Sequence, residues 1–508
     1  MKLIRNVHKH LLLLGAMLIS ALVLLICSKS SPLYPMNDWV DVHCFLTLGK
    51  GLLNGMIPYV DLYEQKGPVL YFIYAIVALF CQKGMFGQYL LEVVTFGLFL
   101  YFSAKLAGLY LGENSKFRYP LMAVLATIVA TTYSFCHGGS VEQMCLFMFI
   151  YGLYSTFKAH REARPLSFRE ALINGILAGM AFWIKYTLFG FYIGLALFVL
   201  IWYLVCVRDL KKLLATIGQF LLGFGAVSAV VLVFFLCVDG IKALFTCYFY
   251  NNLFLYDQSG SGFSLMRIWT NLRNSMISNK VFPFILFLGV GFLLFYKKKR
   301  WLDFVAVMLT FGCLTFFTLI SHNYPYYSLV LSAYTVFGLA GLVWVLQDLG
   351  LGKALCARTK GNRLISTALI CISVAACLVP AYKYSKNTYL MEYDKEDLPP
   401  YEFAEIINQT EDATVLNFGF LDGGFYHAAD VLPNCYFFCT FNVDAPNMWK
   451  TQFDYVQNQK VDYVITRMYE LTAYGLDDVG YELVATDTMY FEGVDYVYYL
   501  YKLKGEPQ

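Results

Sequence analysis

The sequence predicts a mainly α, polytopic membrane protein with about 11 transmembrane helices, plus a small C-terminal extracytoplasmic α/β domain. Three observations carry this reading. Only 14% of the 508 residues are charged, against about 25% in soluble domains. Hydrophobic residues make up 59% of the chain and gather into apolar runs near the ~20 residues that cross a bilayer's hydrocarbon core. After about residue 383 these runs stop, and a more polar, acid-bearing sequence takes over. The bilayer is therefore one expected partner. Nucleic acid is not, because the net charge is only +3 and there is no basic tail.

The first apolar run, Leu11 to Cys27, follows a basic start and lacks a small-x-small cleavage site. It reads as an uncleaved first span with a cytoplasmic N-terminus. Further spans are expected at about 89–110, 119–135, 143–157, 171–184, 186–207, 213–236, 281–296, 302–320, 325–346 and 364–382. The stretch 69–82 is apolar but short. If it does not cross, the segments 111–118, 158–170, 208–212, 297–300 and 347–363 all lie on the cytoplasmic side, and every one is basic. If it crosses, all of them move outside. Lys and Arg favour the cytoplasmic side, so the first arrangement is preferred and the C-terminus lies outside.

This layout divides the chain at about residue 382. Residues 1–382 form the membrane domain, with an outer loop at 29–88, and 383–508 form the soluble domain. In the tail, helices are expected at 401–408 and 447–458 and strands at 413–418 and 462–466. A hairpin is expected from Tyr490 to Leu503, turning at Glu492-Gly493. Many of the cysteines lie in apolar runs, where a thiol behaves as a small hydrophobe; Cys435 and Cys439 are the only close pair.

Charges are few, so their clustering is informative. The outer loop holds Asp38, Asp41, Asp61, Glu64 and Lys66. On a helix, Asp38 and Asp41 would share a face, and Asp61 and Glu64 repeat that spacing. A carboxylate here can act as a base toward a hydroxyl or hold a divalent cation; the plain alternative is that loop acids are simply solvated. Lys66, just before Gly67-Pro68, can meet a lipid phosphate or merely snorkel. Glu142 opens a span after His137-Gly138-Gly139-Ser140, where the helix dipole alone favours an acid. Lys185 lies between two apolar runs, and an ionisable group there is a functional candidate. His322 and Tyr327 begin a later span at the outer face, where tyrosines commonly form an aromatic belt.

The run from Asp41 to Pro68 resembles the membrane glycosyltransferases of the GT-C class. The nearest likeness is to dolichyl-phosphate-mannose–protein mannosyltransferase-like and RgtA/B/C/D-like bacterial members. The matching features are Asp41, Gly55, Pro58-Tyr59, Asp61, Glu64-Gln65 and Lys66-Gly67-Pro68, with Glu142 as a second acid and Gly179 to Lys185 as a later span. Val42 stands where some relatives carry a second acid, and Gly67 where Lys-Pro-Pro is commoner. The resemblance implies an enzyme of the bacterial cell membrane. It would move a sugar, with inversion, from a polyprenyl-phosphate donor to a hydroxyl on a glycan, lipid or protein acceptor. Asp41 would be the base, and Lys66 and Lys185 would neutralise the departing phosphate. Asp61, Glu64 and Glu142 would place sugar hydroxyls or a divalent metal ion, with Asp41 and Glu142 as candidate ligands; the acids suit a cation without demanding one.

Two other classes stay open on the residues alone. A transporter or flippase for lipid-linked glycans would show inverted repeats and broken helices at mid-membrane, and neither is visible. A membrane-anchored glycan-binding or assembly protein would carry its function in the tail and leave Asp41 dispensable.

Overall fold

The structure, a computed structural model, describes residues 2–81, 84–113, 115–256, 264–296, 301–320, 324–350, 363–491 and 493–505. Its helices follow the apolar runs. They are α1 Lys2–Cys27, α2 Val40–Leu53, α3 Pro68–Ala78, α4 Phe86–Leu111, α5 Arg118–Ala130, α6 Val141–Arg161, α7 Phe168–Ile184, α8 Gly190–Trp202 and α9 Leu210–Cys237. After them come α10 Leu265–Ser278, α11 Val281–Phe295, α12 Trp301–Thr318, α13 Thr335–Asp348 and α14 Arg363–Tyr384. Among the described residues seven helical segments are long and apolar enough to cross a membrane, two of them (Tyr186–Val207 around α8 and Pro325–Asp348 around α13) with flanking turns included, and the bent pair α10–α11 could add an eighth. The protein is therefore an integral, multi-pass membrane protein. The other expected spans are helical too, but α5 has 13 residues and α7 has 17. Helix α3 has 11 residues, about 16 Å at 1.5 Å per residue and roughly half a hydrocarbon core.

The chain packs as two units. One comprises Met1–Ser31, Tyr89–Ala229 and Gly262–Thr388; the other comprises Pro32–Gln88, Val230–Ser261 and Tyr389–Gln508. The outer loop and the tail thus belong to one packing unit. In the first unit, Gly194 of α8 packs onto α12, where a Cβ would lie 2.5 Å from the Leu309 carbonyl oxygen. Asp303 on α12 is fully buried and is bound by Arg161 of α6 and Tyr110 of α4, each at 2.8 Å. The Arg161 guanidinium also lies 3.9 Å from the Tyr110 ring centroid. Three helices are tied at one buried carboxylate, so its charge is paired and hydrogen-bonded.

The tail builds the expected α/β fold. Its helices are α15 Pro399–Ile407, α16 Phe425–Ala429 and α17 Met448–Gln457. Its strands are β1 Val415–Asn417, β2 Tyr463–Arg467, β3 Tyr481–Phe491 and β4 Val494–Leu503, in sheet order β1-β2-β4-β3. Strands β1 and β2 are parallel, and the other two pairings are antiparallel. The hairpin is longer than expected: β3 starts at Tyr481. Its turn uses Gly493 at φ +91°, a conformation glycine adopts without steric cost. Leu416, Phe418, Val456, Val464 and Leu471 form the core beneath the sheet. Cys435 and Cys439 are both buried free thiols.

Candidate functional site

Asp41 lies in the first turn of α2, where an acid complements the helix dipole. Asp38 precedes the helix, which starts at Val40, so the two acids do not share a helical face. Asp38 is buried and accepts a hydrogen bond from the Tyr389 hydroxyl at 3.2 Å.

Helices α2 and α3 pack backbone to backbone. A Cβ on Gly49 would stand 2.5 Å from the Tyr74 carbonyl, so only glycine fits this approach. The connection between them is fixed by its motif residues. Tyr59 adopts φ 69°, and its hydroxyl donates to the Lys66 carbonyl. The Tyr71 hydroxyl donates to the same carbonyl at 3.0 Å and to the Glu64 carboxylate. Tyr63 is buried against Phe437 and Phe441, with its amide on the Tyr436 carbonyl at 2.9 Å. Asn252 donates to the Gln65 carbonyl at 2.6 Å. The backbone through Glu64-Gln65-Lys66 is thereby held from both sides. Gly67 then caps α3, and Pro68 fills its first position, where no amide is needed.

The result is a small charged cluster. Lys66 Nζ lies 4.0 Å from Asp41 Oδ2 and 4.0 Å from Glu64 Oε1. Asp41 retains 18% side-chain exposure and Lys66 14%, whereas Glu64 retains 4%. Burial pushes the Glu64 carboxyl above its ordinary range; the Lys66 charge and the hydrogen bonds from Tyr71 and the Lys66 amide oppose that shift. Asp61 is elsewhere. Its Oδ2 accepts the Ile57 amide at 2.6 Å on the exposed side of the turn, so it shares no face with Glu64. Residues 61–64 are not helical, and Leu62 between the two acids bridges back to Pro58, so their three-residue spacing gives no common face.

The opposite face of α2 is tied to the tail. Thr47 donates to Asp422 Oδ2 at 2.8 Å, and Lys50 reaches Asp430 at 2.8 Å. His43 Nε2 lies 2.5 Å from the Asn37 carbonyl. Burial holds the His43 imidazole below its ordinary range and the Asp422 carboxyl above its own.

In the other unit, Glu142, Lys185 and Tyr327 come together. Ser140 caps α6 by accepting the Gln143 amide at 3.1 Å, which sets Glu142 in the first turn. Helix α7 ends at Ile184, and Lys185 is extended, with φ −155° and ψ 105°. This break turns its side chain to Glu142 at 2.6 Å and to 3.6 Å from the Tyr327 ring centroid. Both charges are closed in, with 10% of the Lys185 and 1% of the Glu142 side chain exposed. His322 lies outside the described residues.

Sequence reasoning missed Glu92. This buried acid of α4 accepts from Gln143 Nε2 at 3.1 Å. Gly138 packs against it; a Cβ there would lie 2.8 Å from Glu92 Oε2. The available signal was a carboxylate inside an apolar run. Among the described residues, no group of three or more His, Cys, Asp and Glu side chains is arranged to hold a metal ion.

No family model and no curated protein sequence matches the chain. Solved structures do. The crystal structure of ArnT from Cupriavidus metallidurans bound to undecaprenyl phosphate superposes with a TM-score of 0.62, covering 95% of this chain and 97% of that one. The chain has the ArnT fold. ArnT in its apo state gives a TM-score of 0.60 over the same shares, and identity is 13% in both comparisons. The expected GT-C-like architecture is thus observed: a helical membrane part followed by a small four-stranded domain. At 13% identity the likeness to ArnT concerns the fold.

Proposed function

We propose that the protein is an integral membrane glycosyltransferase that moves a sugar from a polyprenyl-phosphate donor to an acceptor hydroxyl at the extracytoplasmic face. The acceptor class is a cell-envelope glycan, lipid or protein. The carrying observation is the cluster of Asp41, Glu64 and Lys66, set in a fold shared along nearly its whole length with a protein crystallised on undecaprenyl phosphate. The basic segments between spans support an orientation with the N-terminus inside and the tail outside.

The reaction needs a base for the acceptor proton and a cation for the leaving phosphate. Asp41 is the base: it is the more accessible acid of the cluster, and a carboxylate can take a proton as the hydroxyl attacks. The bond from the acceptor oxygen to the anomeric carbon forms as the bond to the lipid phosphate breaks, with inversion. The phosphate leaves with the electron pair, and Lys66 neutralises that charge as it develops. Glu64 is a positioning acid. It is closed from solvent and engaged by Tyr71 and the Lys66 amide, so it holds Lys66 rather than meeting substrate. Lys185 and Glu142 are closed on each other at 2.6 Å, so that pair is assigned a structural role.

The test is transfer from a labelled polyprenyl-linked sugar in membranes carrying Asp41→Asn. A loss of roughly 10²–10⁴-fold is expected for removal of a general base. Unchanged turnover in a well-expressed variant excludes Asp41 from the chemistry.

A further inference from the structure

Helix α10 mixes polar and apolar side chains on both of its sides. Its protein-facing side buries Ile268, Asn271 and Ser275, and Asn279 just past its end is buried too. Asn271 donates to the Leu319 carbonyl at 3.0 Å. Asn279 donates to Ser134 Oγ at 2.8 Å and accepts the Ser134 amide at 3.0 Å. Its outward side carries four large apolar residues, Leu265 67%, Met266 70%, Trp269 62% and Ile277 56% exposed, beside the exposed polar residues Thr270, Arg273, Asn274 and Ser278. A helix lying in the membrane interface carries such a mixture, with large apolar side chains for the acyl boundary and polar and basic ones for the headgroups.

The orientation fits. Helices α10 and α11 meet at 107°. With the wholly apolar α11 near the membrane normal, α10 lies close to the membrane plane, as interfacial helices do. On its outward side stands Arg273, with Trp269 one turn before it, and Lys280 follows at the bend; both cations are exposed. They line a cleft of about 570 Å³ together with Met276 and Pro283. The whole stretch 264–296 contains Arg267, Arg273 and Lys280 and no acidic residue.

We propose that α10 is an interfacial helix, and that its Arg273 and the following Lys280 hold the headgroup phosphate of an anionic phospholipid. Arg273 stands on the helix and Lys280 at the bend just beyond it, and both line the one cleft, so their flexible stems can meet one headgroup. Trp269 and Ile277 cover the upper acyl chains, with the indole at headgroup level. The charge selects the occupant. A zwitterionic lipid would bring a cationic group against two cations, whereas an anionic headgroup brings none.

The test is native mass spectrometry of the full chain exchanged into phosphatidylglycerol, phosphatidylcholine of the same acyl length, or polyprenyl phosphate. The protein is expected to retain phosphatidylglycerol over phosphatidylcholine. Neutralising both cations (Arg273→Gln with Lys280→Gln) should lower that retention roughly thirtyfold, about fivefold for each cation. Exchanging them (Arg273→Lys with Lys280→Arg) should preserve it, which separates lost charge from lost folding. Equal phosphatidylglycerol retention by the native and neutralised proteins overturns the site. Preferential retention of polyprenyl phosphate through the same two residues also overturns it, because the cleft would then serve the donor.

Discussion

The two charged clusters contain the same chemistry in opposite states. In one, Lys185 is locked to Glu142 at 2.6 Å and covered by Tyr327, with almost no solvent access. In the other, Lys66 stands 4.0 Å from both Asp41 and Glu64, and Asp41 keeps 18% of its side chain exposed. A closed pair has satisfied its charges internally, and breaking it leaves one buried and uncompensated. A more exposed cluster can be reached by a ligand. An ionisable residue beside a membrane can therefore be structural or reactive, and the separation and exposure of its partner distinguish the two.

That contrast is broken most directly by paired substitutions. Asp41→Asn should lower transfer by roughly 10²–10⁴-fold and leave the unfolding temperature close to that of the native protein. Glu142→Gln should do the reverse in stability, destabilising by about 3–5 kcal/mol because Lys185 is left buried without its counter-charge. Lys185→Met added to Glu142→Gln should recover much of that loss, read by thermal unfolding in detergent. Equal destabilisation by Asp41→Asn and Glu142→Gln would show that both clusters are structural. Smaller effects sharpen the looser cluster. Gly49→Ala forces a methyl against the Tyr74 backbone and should cost about 1–3 kcal/mol by overpacking. Tyr71→Phe removes one donor from Glu64 and should cost about 1–2 kcal/mol. It should also alter turnover more than substrate affinity if Glu64 positions Lys66; a kcat equal to the native value would count against that role.

Much of this was legible in the sequence because membrane proteins use few charges. Asp41, Glu64 and Lys66 stood out against an apolar background, and the Pro58-Tyr59 and Gly67-Pro68 steps marked the turn and the helix start that place them. Lys185 and Glu142 were each visible, but their pairing across 43 residues was not, since it depends on how α6 packs on α7. Spacing misled at Asp38 and Asp61. A three-residue interval implies a shared face only inside a helix, and neither interval is wholly helical. Helix α10 passed as part of an outer loop because its polar and apolar residues do not form a long apolar run. Glu92 was hidden inside a span.

The smallest effect concerns the fixed side of α2. Burial holds His43 below its ordinary value of 6.5, although Asp422 and Asp38 pull it the other way. His427, buried nearby, is held lower still by burial, with Lys50 and Lys395 adding to the shift. Below about pH 6.5 the unfolded chain therefore binds protons that the folded chain refuses, and stability falls as pH is lowered through that value. Each histidine contributes a slope of up to about 1.4 kcal/mol per pH unit. Asp422 has the opposite sign: its raised carboxyl is protonated in the folded state first, which stabilises on the acid side above its ordinary 3.8. The His43→Gln variant should accordingly lose less stability than the native protein between pH 7 and pH 5.5, by up to the share of one histidine. Thermal unfolding of both proteins at the two pH values measures it. A native protein no less stable at pH 5.5, or a variant with the same loss, would show that His43 gains its proton without disturbing the face that anchors the Asp41 helix.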